Sequence, residues 1–269
     1  MKLLNFKPNP YLRQYISRYW LWENEPDLPQ ILPGTGTELM FHYYEPFIAK
    51  NQKDEVLIVP NCHIISPRSE CYYLNRIKRS GFISVRFRAG AFRHFCRESN
   101  KELIDSFIDI NEIWGKKGQE FGERVIEAEN IEKRIAIIEA FLMKFLEMYQ
   151  HPKSWLDMAV EKVFYGCDAA RLKDVSSDLF ISDRQLQRKF GEAVGVSPKT
   201  FQRISRFETV LKQLLLNQNK DYLTSALEHG YYDQSHFIKE FKEYVGESPS
   251  LFLQDKNFMS HFYNEKLPN

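Results

Sequence analysis

Apolar residues in the second half of the chain recur at helical spacing. Leu172, Val175 and Leu179 fall at i, i+3, i+7, Leu186, Phe190 and Val194 at i, i+4, i+8, and Ile204, Phe207, Leu211 and Leu214 at i, i+3, i+7, i+10. Each set lies on one face of an α-helix, with polar residues opposite. The pattern then returns fifty-one residues later. Phe190, Glu192, Val194, Gly195, Ser197, Pro198 and Phe201 recur as Phe241, Glu243, Val245, Gly246, Ser248, Pro249 and Phe252. The same offset carries Leu172 to Leu223, Val175 to Ala226 and Leu186 to Phe237, so one supersecondary unit is expected twice, without a gap.

Each unit predicts two short helices joined by a turn. Ser182 and Asp233 stand where an N-cap accepts a bond from an orphan backbone N–H, and Gly195 and Gly246 where a helix stops. Gly230 suits a left-handed turn residue. Two helices with a short turn and a polar outer face match the helix-turn-helix. Between the units, Pro198 to about Asn217 predicts one long helix. A helix of about 18 residues spans about 27 Å. That approaches the roughly 34–36 Å between successive major-groove turns, so a rigid strut could hold two reading helices in neighbouring grooves.

The N-terminal part reads differently. Arg18–Trp22, Glu38–Tyr44, Val56–Val59, Cys71–Leu74 and Phe82–Arg88 are rich in aromatic and β-branched residues, and Pro/Gly turns such as Pro33-Gly34-Thr35-Gly36 separate them. A small antiparallel barrel or sandwich is expected. From about Glu120 to Tyr149 the stripe Ile131, Ile135, Ile138, Leu142 predicts a helix that packs on the strands or pairs with a second subunit. His151-Pro152-Lys153-Ser154 reads as a linker.

Residues from about 155 to 259 resemble the DNA-binding domain of the AraC/XylS family of bacterial transcription regulators. Leu186-Gln187-Arg188-Lys189-Phe190, Gly195-Val196-Ser197-Pro198, the Arg203 to Leu215 helix and Gly230-Tyr231-Tyr232-Asp233-Gln234-Ser235-His236-Phe237 carry the resemblance. The chain departs from it at Val175-Ser176 and Leu179, positions of helix packing. Tyr11–Trp22, Leu32–Phe41 and Gly81–Phe92 resemble the cupin-like sensor domain that precedes this module in one branch of the family. The expected fold is therefore α+β: a small cupin-like antiparallel β-barrel over 1–112, a helical connector and candidate dimerisation segment over 113–152, and an all-α double helix-turn-helix domain over 153–260. The resemblance implies a DNA-binding regulator, expected to be an activator, controlled by a small effector or by homodimerisation, with RNA polymerase a candidate partner.

Helical faces nominate the residues that meet DNA. With Leu186 and Phe190 inward, Arg184, Gln187 and Arg188 face out, with Asp183 and Gly191 as further candidates. Arginine can bond guanine in two places and glutamine adenine. The resemblance also places base contacts at Arg184, Gln187 and Arg188. In the second unit Gln234, Ser235, His236, Ile238 and Lys239 remain for the groove and Lys242 for phosphate. Ser182, Lys189 and Arg203 complete the candidate set.

Charge is uneven. The chain is +1 overall, without the basic excess usual for a DNA binder. From Ser182 to Lys212 there are seven basic and three acidic residues, but from Asp221 to Glu247 two basic and six acidic. The first unit is therefore expected to dominate affinity. In the N-terminal part Arg86 and Arg88 share one side of a strand and are candidate ligands for an acidic effector if that side faces inward.

Other chemistry finds less support. His42, His63 and His94 have no metal-ligand spacing and Cys62, Cys71, Cys96 and Cys167 form no Cys-x-x-Cys, so no metal, cofactor or disulfide is expected. The alternative is a cupin-type metal-dependent enzyme or small-molecule-binding protein with a regulatory helical region. Met1 to Pro10 lacks the apolar core of a signal peptide, and a cytoplasmic location is expected.

Overall fold

The computed structural model describes residues 2–23, 30–75, 79–96, 103–148, 154–166, 172–216 and 222–253. Six strands form one antiparallel sheet in the order β1 (Lys2–Phe6), β2 (Ile16–Glu23), β8 (Gly81–Phe87), β3 (Glu38–His42), β6 (Cys62–Ile65), β9 (Phe107–Asp109). A second sheet has the order β5 (Val56–Leu57), β4 (Ile48–Lys50), β7 (Tyr73–Asn75). The expected barrel does not close. Isolated bridges at Ile31–Tyr72 and Gly34–Arg68 extend into no ladder. Helices from the C-terminal half fill the open side instead.

Both faces of the large sheet are covered, which is why its central strands read as continuous apolar runs rather than alternating ones. Tyr19, Leu39, Phe41, Ile83, Val85 and Phe87 face α1 (Ile110–Trp114), α2 (Lys116–Glu127) and α3 (Ile131–Met148). The single helix expected over 120–149 is thus two. Ala128 is extended, and Asn130 accepts the Lys133 N–H at 2.9 Å, starting α3 afresh. The α3 stripe packs on this core, with Ile138 and Leu142 fully buried. On the opposite face Trp20, Trp22, Met40, Ile65 and Phe82 share one core with α7 (Pro198–Leu216) and α9 (Gln234–Val245).

The helical region begins at α4 (Trp155–Tyr165), opened by a capping box between Ser154 and Asp157. The rest of the expected linker, 151–153, lies outside the described residues. The two units follow as α5 (Leu172–Asp178) with α6 (Asp183–Val194), and α8 (Tyr222–Glu228) with α9; α10 (Pro249–Phe252) closes the domain. The 19-residue α7 between them is about 28 Å long at 1.5 Å per residue.

The units are not related by a gapless offset. The second helices and their caps, Ser182 and Asp233, are fifty-one apart, but α5 and α8 are fifty apart. Hydrogen bonds locate the break. Ile181 N–H bonds the Ser176 carbonyl and Phe180 N–H that of Ser177; Tyr231 and Gly230 bond Ala226 and Leu227 in the same way. Both are Schellman endings, whose first residue past the helix is left-handed. Gly230 holds that place in one unit (φ 80°) and Phe180 in the other (φ 54°), and the second turn has one extra residue, Tyr232. A bulky residue is disfavoured there by about 1–2 kcal/mol. The Phe180 side chain is 96% exposed and recovers little by packing. Phe180→Gly is therefore expected to raise stability by about 1 kcal/mol; an unchanged or lower urea midpoint contradicts this.

Two of the buried histidines pack against each other. His42 and His63 are stacked with ring centroids 5.2 Å apart, among Phe47, Phe82 and Phe107. The His63 Nδ1–H donates to the Pro60 carbonyl at 2.8 Å. Burial pushes His63 down to about 4 and His42 well below its usual value. Unfolded histidine titrates near 6.5, so between about pH 6.5 and 4 the unfolded chain binds protons that the native state refuses. Stability is expected to fall by about 1.4 kcal/mol per pH unit per histidine in that window. Glu38 and Asp157 are held below their usual values, so their contributions are lost only at lower pH. His42→Leu should halve the slope between pH 6 and 4.5 in denaturant titrations. An unaltered slope would exclude this origin.

Candidate nucleic-acid interface

Helix α6 starts at Ser182, whose hydroxyl accepts the Gln185 N–H at 3.2 Å; α9 starts at Asp233, whose carboxylate accepts the His236 N–H at 2.8 Å. Leu186, Phe190 and Val194 are buried under α6, as are Phe237, Phe241 and Val245 under α9. The polar residues are thereby turned outward. Ser182, Arg184, Gln187 and Arg188 are exposed, and Lys189 is half-buried. Arg188 and Lys189 both reach Glu192, at 3.2 and 3.0 Å, and their bonds hold its carboxyl below the usual range, that from Lys189 foremost. Gln234, Ser235, His236, Lys239 and Lys242 are exposed on α9, and Gln234 donates to the Tyr222 hydroxyl at 3.1 Å.

The two further candidates on α6 differ: Asp183 is exposed, whereas Gly191 is not. Gly191 is buried, and the Asp183 carboxylate accepts the Ser176 hydroxyl. Ile238 on α9 is partly buried against the core.

Arg203 sits differently from the other candidates. Its Nε donates to Glu240 at 3.1 Å and its Nη2 to Glu243 at 3.2 Å, bridging α7 to α9. Glu240 is 3% exposed and also accepts Arg206 at 3.1 Å and the Tyr231 hydroxyl at 2.7 Å. Burial, then Glu240, drive the Tyr231 hydroxyl far above its usual pKa. Burial opposes the charge of Arg206, but Glu240 and Tyr231 outweigh it and raise its pKa. This network fixes α9 against α7. It also engages Arg203 and Arg206, two of the cations counted for the first unit, with Glu240 as their buried counter-ion. Spacing showed none of the arginine pairings, because their partners are 34 to 40 positions apart.

The N-terminal domain grips the strut at mid-length. Arg86 Nη2 meets Glu208 of α7 at 2.8 Å while its Nη1 meets Glu38 at 3.0 Å. The Thr35 N–H and hydroxyl donate to the other Glu208 oxygen at 3.2 and 2.9 Å. Burial raises the Glu38 carboxyl, but Arg86, Arg68, Ser84 and Trp20 outweigh it. Arg86 thus faces inward and already carries two carboxylates. Arg88, just past the end of β8, is more exposed and donates to the Arg13 carbonyl at 2.7 Å, and both arginines line the same cleft. A cleft of about 760 Å³ opens here between the domains, lined by Arg18, Arg86, Arg88, Asp157, Glu208 and Lys212 among others. Burial raises the Asp157 carboxyl, but bonds from His94, Ser154 and Arg93 hold it far below the usual range.

Among the described residues no group of three or more His, Cys, Asp or Glu could hold a metal ion, and no helix is long and apolar enough to cross a membrane. Cys62 and Cys71 are free and buried, each thiol pushed up to about 12 by burial.

Residues 175–255 match the family described as a helix-turn-helix domain, HTH_18, and residues 4–109 match a domain of unknown function, DUF6597. No curated protein matches the chain. Among solved structures it is similar to ToxT from Vibrio cholerae, at 14% identity over 94% of this chain and 97% of that one, with a TM-score of 0.48. ToxT bound to (E)-4-(8-methylnaphthalen-1-yl)but-3-enoic acid aligns at 15% identity over 94% and 97%, with a TM-score of 0.48. Unsaturated fatty acid-bound ToxT aligns at 12% over 92% and 96%, with a TM-score of 0.45. The paired helix-turn-helix units, with their polar faces exposed, define a DNA-binding transcriptional regulator. Its C-terminal domain is of the AraC type, set behind an N-terminal domain of a separate family.

Proposed function

We propose that the chain reads DNA with α6 and α9 in successive major grooves, with α7 as the strut and α6 supplying most of the affinity. Residues 1–112 act as the sensor, 113–152 as connector and 153–260 as the DNA reader. Arg184, Gln187 and Arg188 contact bases, while Ser182 and Lys189 contact the backbone. Gln234, Ser235, His236 and Lys239 face the second groove, with Lys242 on phosphate. The observation that carries this reading is the exposed Arg184, Gln187, Arg188 row directly opposite the buried Leu186 and Phe190. Arg203 acts on α9 rather than on DNA, in keeping with its bonds to Glu240 and Glu243.

Control comes from the interdomain cleft. Glu208 already occupies Arg86, so an acidic effector entering the cleft would compete with a carboxylate of the strut itself. Such a ligand shifts the equilibrium between domain arrangements only by its differential affinity for them. Selection of bound fragments from random DNA by the full chain, with and without cell metabolites, tests both parts. Failure to enrich any sequence would overturn the reading.

A further inference from the structure

A helix leaves its last four carbonyls without intrahelical partners. In α9 these belong to Lys242, Glu243, Tyr244 and Val245. Lys242 takes the Gly246 N–H at 3.0 Å. The other three are met from the N-terminal domain: Gln52 Nε2 donates to Glu243 at 3.2 Å and to Tyr244 at 3.0 Å, and the Tyr73 hydroxyl donates to Val245 at 3.0 Å.

The donors are held in place. Tyr73 opens β7 and pairs with Lys50 of β4. Gln52 follows in the turn to β5, where the Asn51 side-chain oxygen accepts the N–H groups of Lys53 and Glu55 at 2.9 and 3.0 Å. Gly246 has φ +89°, where any side chain is strained, and a Cβ there would lie 2.9 Å from the Tyr73 hydroxyl oxygen, so glycine lets the two approach. Behind these polar contacts Ala49, Leu57 and Leu74 of the same small sheet share a core with Phe241, Tyr244 and Val245. The contact leaves the outer face of α9 open, since Gln234, Ser235, His236 and Lys239 near its other end remain exposed.

We propose that the β4–β5–β7 sheet is a clamp that holds the second reading helix in its productive pose, with Gln52 and Tyr73 as positioning residues for the second half of the DNA site. Ahead of the first unit the N-terminal domain meets α4, through Arg93 and His94 on Asp157, whereas on the second unit it bonds the reading helix itself. The domain thereby governs half of the site. Leu74, next to Tyr73, lines a small pocket with Trp20, Phe82 and Arg68, which places the clamp beside the sheet. The proposal rests on the two-helix DNA reading above.

The full chain carrying Gln52→Ala and Tyr73→Phe is compared with the native chain on two DNA duplexes: the selected site, and the same site with its second half scrambled. The variant is expected to lose roughly tenfold in affinity on the complete site, as for removal of about three hydrogen bonds only partly felt in binding, and to bind the scrambled site as the native chain does. Tyr73→Phe alone, which removes one hydroxyl and no packing, should show a smaller loss confined to the same half. Unchanged or tighter binding to the complete site overturns the clamp, as does an equal loss on both duplexes by the milder variant. If scrambling the second half leaves native affinity unaltered, the clamp has nothing to position and falls, while reading by α6 stands. If the native chain enriches no DNA, both fall.

Discussion

Arg184→Ala and Arg188→Ala together are expected to lower affinity for the selected site by about a hundredfold or more, whereas Lys239→Ala should lower it less than about fivefold. A well-placed arginine–base contact is worth about 1–3 kcal/mol, and two of them multiply. Both arginines are exposed on α6, and only Arg188 shares its charge with a neighbour, Glu192 at 3.2 Å. The asymmetry follows from the acids around α9. Glu243 and Asp233 are exposed beside its reading face, although Glu240 is turned inward by Arg203 and Arg206. Fluorescence anisotropy with labelled duplex measures the three variants directly. Equal losses from Arg188→Ala and Lys239→Ala would show that the second unit carries its share.

Glu240→Ala is expected to lower folding stability by about 3–5 kcal/mol. Removing one member of a buried ion cluster leaves the others uncompensated. Here Arg206, whose side chain is 15% exposed, and the Tyr231 hydroxyl both lose their acceptor. The Arg206 guanidinium would keep only the Tyr231 ring, 4.2 Å from its centroid, and a long bond of 3.4 Å to the Gly230 carbonyl. Glu240→Gln keeps an acceptor and should lose less. Urea titrations of the two variants separate charge from hydrogen bonding. A loss below about 1 kcal/mol for the alanine variant would mean that solvent reaches the cluster.

What was legible in the sequence was local. Ser182 and Asp233 as caps, the Leu186–Phe190 and Phe237–Phe241 spacings and Gly195 and Gly246 as stops each depend on residues within one helix, so α6, α7 and α9 were placed to within a residue or two. The fifty-to-fifty-one shift was not visible. It arises in a turn whose count is set by backbone hydrogen bonds, and Phe180 occupies the place where a glycine would have marked it. The central strands were found by composition, but β1, β4, β6 and β9 were missed. Short strands buried on both faces, such as Cys62–Ile65, carry no alternation to recognise them. Closure of the sheet was misjudged for a related reason: the covering elements, α7 and α9, begin 89 or more positions beyond its last strand. Arg86 was legible as a charge, but its partner Glu208, 122 residues on, was not. The same holds for Gln52 and Tyr73, which no motif distinguishes from surface residues.

The most direct test of the central claim is the phasing of bases conserved among fragments that the full chain selects from random DNA. Two reading helices on a strut of about 28 Å predict two conserved blocks whose centres lie about 10–10.5 base pairs apart on one side of the duplex, the stronger block weakening in Arg184→Ala. A single block, or two blocks half a helical turn out of phase, would contradict simultaneous entry of α6 and α9 into successive grooves.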